Sequence, residues 1–223
     1  MENEKRVAAH SACDRVADGT VIGLGTGSTV RFFLERLSER ISDEGLEILG
    51  VPTSQGSEQM ARELGIPLTD LSEHPVLDLD IDGADEISPQ LDLIKGGGGA
   101  LLREKIIANA SLEVVIIADG SKTVDVLGAF PLPVEVLPFG IERTRTELEN
   151  LGSPAAVRVR DGSPFITDNG NNIIDCAFER IEDPRGLESR LLGIPGVLEC
   201  GLFVGMADVA IVADGEEVRV LEV

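Results

Sequence analysis

LDLDIDGADEISPQLDLIKGGGGALLREKI, residues 77–106, decides the fold. Leu77, Leu79 and Ile81 alternate with aspartates, the period of a strand. Leu101, Leu102, Ile106 and Ile107 recur at helical spacing. Between the two patterns lie Asp82, Asp85, Lys95 and four consecutive glycines at 96–99, with Glu104 just inside the helix. Charges so placed sit where a strand leaves a sheet and a helix begins. In open α/β sheets, that is where ligands bind.

The chain before this stretch predicts the same architecture. Residues 3–17 read as a helix with Val7, Ala8, Ala12 and Val16 on its apolar side. TVIGLGTGST, residues 20–29, then gives a short buried strand, a turn with glycines at 23, 25 and 27, and a helix starting near Ser28. Strand, glycine turn and helix cradle phosphate, because backbone N–H groups and the helix dipole face an anion that small residues let in. A dinucleotide fingerprint fits poorly: its third glycine would fall on Ser28, and the acid due about twenty residues on is replaced by Pro52-Thr53-Ser54. No Gly-Lys-Ser/Thr follows, so a P-loop fails as well. The hydroxyls of Thr26, Ser28 and Thr29 suit one small phosphate.

LEILGVPTS predicts a second strand, SEQMARELG a helix and PLTDL a short third strand. Asp78, Asp80, Asp82 and Gly83 imitate the start of a calcium loop, but the glutamate due at its twelfth position is Pro89. Asp78 and Asp80 read as acidic surface, and Asp82 and Asp85 as the functional pair. The glycines at 96–99 expose backbone N–H groups to a developing oxyanion. SLEVVIIADGSK is a buried strand ending at Asp119, with Lys122 just beyond. After Phe130 the texture changes: strand, helix, hairpin, helix and strand predict a small β-α-β-β-α-β unit. Two short strands close the chain.

Composition excludes several classes. With 43% hydrophobic residues the chain is globular, and no apolar run approaches a membrane span. The charged start, MENEKRVAAH, is no signal peptide, so a cytoplasmic protein is expected. A net charge of −21 disfavours nucleic acid. Only Lys5, Lys95, Lys105 and Lys122 are lysines among nineteen basic residues. A dispersed acidic surface almost without lysine resembles proteins of salt-loving organisms, in which salt screens self-repulsion. Lysines that survive on such a surface are expected to have jobs. Cys13, Cys176 and Cys200 are odd in number and lack a CxxC, which predicts reduced core thiols. His10 and His74 show no ligand spacing, so no metal is expected.

GLGTGST, DIDGADEI, KGGGGALLREKI, ADGSK, FPLPVEV and TDNGNNIID, in this order and at these separations, closely resemble type A ribose-5-phosphate isomerases. The resemblance runs from about Lys5 to the C-terminus. It implies cofactor-independent interconversion of D-ribose 5-phosphate and D-ribulose 5-phosphate in the non-oxidative pentose phosphate pathway. It also implies self-association as a homodimer or homotetramer. The implied fold is a Rossmann-like, mostly parallel α/β domain (residues 1–128 plus 202–223) with an inserted ferredoxin-like α+β domain (residues 129–201).

Carried over by position, the resemblance makes Glu104 the proton acceptor. It assigns Thr26, Gly27, Ser28, Thr29, Asp82, Gly83, Ala84, Asp85, Lys95, Gly96, Gly97, Gly98 and Lys122 to substrate binding, with Lys5 near the phosphate. The chemistry then implied is one carboxylate moving a proton from C2 to C1 through a cis-enediolate. Lys95 and the Gly96 to Gly98 amides face the oxyanion, Asp85 shuttles a proton between O1 and O2, and Asp82 assists ring opening; these last two roles are exchangeable. Gly99 departs from the alanine expected in many relatives. Two other readings stay open: a phosphosugar sensor without turnover and a nucleotide-dependent dehydrogenase. Glu104 and Lys95 count against the first, the turn chemistry against the second.

Overall fold

The computed structural model describes residues 1–222 and shows two compact units, with strands numbered here along the chain. The first unit comprises Met1–Ala84, Arg103–Lys122 and the chain from Gly205 onward. Its sheet has six strands: β1 (Thr20–Leu24), β2 (Ile48–Pro52), β3 (Leu79–Gly83), β6 (Val114–Asp119), β14 (Val209–Asp214) and β15 (Glu217–Glu222). Their spatial order is β15-β14-β6-β3-β1-β2. All neighbours run parallel except the β14–β15 hairpin. The strands leave β1 in both directions, so the sheet has a topological switch point between β1 and β3, where side chains at the carboxyl ends face a crevice.

The central strands are covered on both faces, which explains why β6 is buried at every position and β3 and β14 at all but the last. Ile22, Leu24, Leu79, Ile81, Val115 and Ile117 pack against helix α1 (Glu2–Cys13) through Ala8, Ala9 and Ala12. They also meet α2 (Ser28–Glu39) through Val30, Phe33, Leu34 and Leu37. Each large apolar side chain so buried contributes about 1.5–3 kcal/mol. On the opposite face, Ile107 of α4 (Leu101–Ala110) packs with Val51 and Leu77 and lies over Gly23. A Cβ on Gly23 would lie 2.6 Å from the Ile107 side chain and overlap Asp80.

Four local expectations are corrected. Residues 67–71 form no strand: Gly50 donates to Pro67 and accepts from Thr69, leaving one isolated bridge at Leu68. Proline offers no donor to extend the ladder. Asp80 is not surface but 1% exposed, because β3 is central and strand alternation sends Asp80 inward. Helix α1 ends at Cys13, short of Ala17. Helix α3 (Gln55–Glu63) starts two residues early, where the Ser54 side chain caps it by accepting from the Ser57 amide.

The second unit comprises Asp85–Leu102 and Thr123–Val204. Its four-stranded antiparallel sheet is built from β7 (Leu132–Val136), β8 (Ala155–Val157), β11 (Asn172–Cys176) and β12 (Val197–Cys200), in the order β12-β7-β11-β8. Helix α5 (Ile141–Glu149) joins β7 to β8 and α6 (Pro184–Leu192) joins β11 to β12. This is the ferredoxin-like β-α-β-β-α-β arrangement. Val134, Val136, Ile174 and Cys176 bury one face against Leu148 of α5 and Leu187 and Leu191 of α6. A small three-stranded sheet of β4 (Glu86–Ile87), β5 (Leu93–Ile94) and β13 (Leu202–Phe203) ties Asp85–Leu102 into this unit. A hairpin of β9 (Val159–Arg160) and β10 (Ser163–Pro164) projects after β8.

Two buried carboxylates organise loops here. Glu86 accepts from the amides of Gly128 (2.6 Å) and Phe130 (2.5 Å). Glu135 Oε1 accepts from Thr167 Oγ1, Asn169 Nδ2 and Asn171 Nδ2, which folds the TDNGN loop onto β7.

All three cysteines are free and buried. Burial pushes the Cys13 and Cys176 thiols up to about 12, since a thiolate would lose its hydration. Both therefore stay protonated well above neutrality. A thiol reagent at pH 8 is expected to label neither Cys13 nor Cys176 in the folded protein and both after unfolding in urea. Fast labelling of either in the native state contradicts the packing.

Candidate active site

In the first unit, β1 ends in the glycine turn. Gly25 lies flat against β3: a Cβ there would sit 2.6 Å from Asp82 Cα and overlap its carboxylate. That closeness lets Asp82 Oδ1 accept from the Thr26 amide at 2.9 Å and from the Gly83 amide at 2.7 Å. Asp82 is fully buried. Gly27 has φ +130, a backbone state side chains rarely adopt, and turns the chain into α2. Ser28 opens α2 and is exposed, with half-buried Thr29 next, so the helix N-terminus presents its amides beside the turn. Lys5, on α1, donates from Nζ to Ser28 Oγ at 2.9 Å, which sets a cation at that terminus. Lys122 is half-buried in a 3-10 turn that follows β6, and Asp119 at the end of β6 is buried and accepts from the Ser121 amide.

The sequence reading missed Thr53, Ser54 and Ser57, all buried. Thr26 Oγ1 lies 2.8 Å from Thr53 Oγ1 and Ser54 Oγ and 3.0 Å from Ser57 Oγ. Ser57 Oγ donates to the Gly25 carbonyl at 2.5 Å, and Thr53 Oγ1 to the Leu24 carbonyl. Three hydroxyls from the end of β2 and the start of α3 thus brace the turn through Thr26. The available signal was the Thr-Ser pair standing where a dinucleotide site has its acid.

In the second unit, the Asp85 amide donates to the Ile94 carbonyl at 2.8 Å, which sets Asp85 opposite the end of β5. Its Oδ2 accepts from the Gly97 amide at 2.7 Å. Gly97 must be glycine, since a Cβ would sit 2.6 Å from Asp85 Oδ1. Residues 96–99 form a turn closed by the Gly99 amide on the Gly96 carbonyl, with φ +101 at Gly96 and +96 at Gly99. A Cβ on Gly96 would lie 2.8 Å from Leu101 Cβ, and one on Gly99 would overlap the Phe165 ring. Gly98 is exposed. Lys95 is buried: its amide donates to the Gly201 carbonyl, and its Nζ lies 5.3 Å from the Phe203 ring centroid.

Glu104 stands in the first turn of α4 and is 3% exposed, whereas Ile106 is exposed. The buried stripe of the helix is Leu101, Glu104, Ile107 and Ala108. A carboxylate thus occupies an inward position where an apolar residue is usual. Gly83 and Ala84 are half-buried and link Asp82 to Asp85. His10 is exposed and His74 half-buried. Among the described residues, one group of potential metal ligands lies close together, Glu188, Glu199 and Cys200, and it includes none of the predicted site residues.

The glycine turn at the switch point carries no nucleotide fingerprint, Glu104 and Lys95 are both buried, and the class of enzyme that the chain's relatives define is an aldose–ketose isomerase of phosphorylated sugars. Residues 49–217 match the family described as Ribose 5-phosphate isomerase A (phosphoriboisomerase A). The chain is 48% identical to Ribose-5-phosphate isomerase A of Methanothermobacter thermautotrophicus, over 98% of this chain and 97% of that protein. It is 51% identical to the Bacillus mycoides protein of the same name, over 95% and 96%. The solved ribose 5-phosphate isomerase A of Methanocaldococcus jannaschii superposes with a TM-score of 0.96 at 42% identity, covering 100% of this chain and 99% of that one. A D-ribose-5-phosphate isomerase solved in complex with phospho-erythronic acid does so equally, at 42% identity, TM-score 0.96 and the same coverage. The chain belongs to the ribose-5-phosphate isomerase A family and has that isomerase activity.

Gly25→Ala tests the turn geometry. The added methyl pushes the turn off Asp82, and a displacement near 1 Å costs about 100-fold in kcat/KM. Steady-state kinetics at near-wild-type rates would show that the close approach of Gly25 to Asp82 does not matter.

Proposed function

We propose that Glu104 takes the C2 proton of open-chain ribose 5-phosphate and returns it to C1 of a cis-enediolate. The observation that carries this is the burial of Glu104 on the inward stripe of α4, a position where an apolar residue is usual and a glutamate is almost never fully buried. A positioned general base of this kind contributes about 10²–10⁴-fold.

Around that step, Lys95 supplies positive charge for the enediolate oxygens, with the amides of Gly96 and Gly98. Removing one such preorganised donor costs about 3 kcal/mol of barrier. Asp85 moves a proton between O1 and O2. Its hold on the Gly97 amide fits this, because a carboxylate kept in one orientation needs no reorganisation during proton transfer. Asp82 assists ring opening while fixing the Thr26 and Gly83 amides. Thr26, Gly27, Ser28 and Thr29 bind the phosphate with Lys5 and Lys122, supported by the 2.9 Å Lys5–Ser28 contact. The binding of phospho-erythronic acid by a 42% identical isomerase supports a phosphorylated acyclic ligand here too. The enzyme works as a homodimer or homotetramer in the cytoplasm, in the non-oxidative pentose phosphate pathway.

Turnover of ribose 5-phosphate with EDTA, across a salt series, tests the assignment. Glu104→Gln is expected to lose about 10³-fold in kcat, within the range for a general base, while still binding substrate. Wild-type activity is expected to survive EDTA and hold or rise with salt. An active Glu104→Gln moves the base to Asp82 or Asp85.

A further inference from the structure

Arg158 lies between β8 and β9 in the second unit, and its side chain is only 13% exposed. Its Nε and Nη2 fork onto both oxygens of Asp175 at 2.9 and 2.5 Å. Its remaining nitrogen, Nη1, donates to the Gly96 carbonyl at 2.8 Å and the Gly97 carbonyl at 3.1 Å. We propose that Arg158 is a positioning residue for the isomerisation, holding two successive peptides of the glycine turn so that their N–H groups face Asp85 and the substrate. This rests on the reading above that residues 95–98 and Asp85 serve catalysis.

The geometry follows from peptide planarity. Among the described residues there is no cis peptide, and in a trans peptide the N–H points opposite to the C=O. Gly96 C=O and Gly97 N–H belong to one peptide, Gly97 C=O and Gly98 N–H to the next. With both carbonyls drawn to one guanidinium nitrogen, both N–H groups are turned away from it. The first already ends on Asp85 Oδ2 at 2.7 Å, as this requires. The second, of exposed Gly98, is the amide left for a substrate oxygen. A guanidinium on the carbonyl side also polarises each peptide and makes its N–H a stronger donor. Asp175 balances the charge and fixes the fork, which lysine cannot reproduce.

The same hairpin grips the turn a second time. The Phe165 amide donates to the Arg158 carbonyl at 2.8 Å, the Phe165 ring lies against Gly99, and Arg160 stacks 4.3 Å from that ring. Four glycines in a row have no side chains of their own to hold a shape. The hairpin supplies what they lack.

The test is steady-state kinetics of Arg158→Ala, Arg158→Lys and Asp175→Asn, with melting curves, with and without low-millimolar guanidinium ion. Arg158→Ala is expected to lose about 30- to 100-fold in kcat, the size of effect a misplaced catalytic group produces, with KM changed less than about threefold. Added guanidinium is expected to restore part of the Arg158→Ala rate and leave wild type unchanged. Arg158→Lys is expected to recover little, and Asp175→Asn to lose kcat while melting near wild type. A folded Arg158→Ala within about threefold of wild-type kcat, or one that guanidinium leaves unchanged, overturns the proposal. Should Arg158→Ala fail to fold, Asp175→Asn decides: kcat lost at constant KM supports the proposal, and unchanged kcat overturns it. Wild type inactive on ribose 5-phosphate would instead remove the isomerase reading beneath it.

Discussion

Asp82 Oδ1 accepts from two separate stretches of backbone, the Thr26 amide in the glycine turn after β1 and the Gly83 amide at the end of β3, and the glycine turn is where it is because of those bonds. The register sets it up. Leu24 pairs with Ile81 in parallel, so the next residues along, Gly25 and Asp82, meet side by side as β1 and β3 end. Any side chain at Gly25 would collide with Asp82. A buried carboxylate in place of a hydrophobic residue is costly until its oxygens are satisfied, and hydrogen bonds to a charged group recover about 1.5–3 kcal/mol each. The one carboxylate thus both closes the turn and stands at the switch point. Everything attached to the turn inherits that placement, including the hydroxyls of Thr53, Ser54 and Ser57 and the start of α2.

The second unit solves a different problem by similar means. A tetraglycine turn has access but no rigidity. Asp85 takes an amide from one side and Arg158 two carbonyls from the other, so a flexible stretch is held between fixed charges. Elsewhere, fixed charge is plentiful and mostly weak. Arg31–Glu35, Arg62–Glu58 and Arg145–Glu149 are helical ion pairs at the surface, each the kind worth well under about 1 kcal/mol and screened by salt. Burial separates Arg158 from them: at 13% exposure its fork with Asp175 is sheltered from that screening.

Much of this was legible in the residues. Apolar alternation located β3, buried apolar runs located β1 and β6, Ser28 was the first residue of α2, and the split β-α-β pattern after Phe130 emerged as expected. The family followed from six motifs in register. What escaped reading was set by tertiary contacts. Asp80 looked like surface because nothing local says that β3 is central with both faces covered. Ile106 looked like core, yet it is Glu104 that turns inward, because the position on the helix and not the polarity of the residue decides burial. PLTDL had strand composition, but Pro67 allows only a bridge to β2. Thr53 and Ser57 were unreadable as partners of Thr26 because their meeting depends on how β2 and α3 fold back beside β1.

The most direct test of Glu104 as the single base is isomerisation in D2O followed by NMR. With one carboxylate serving both carbons through a cis-enediolate, ribulose 5-phosphate is predicted to gain deuterium at one of its two C1 positions and ribose 5-phosphate at C2. Glu104→Gln is predicted to abolish both. Deuterium spread over both C1 positions, or exchange persisting in Glu104→Gln, would contradict the account.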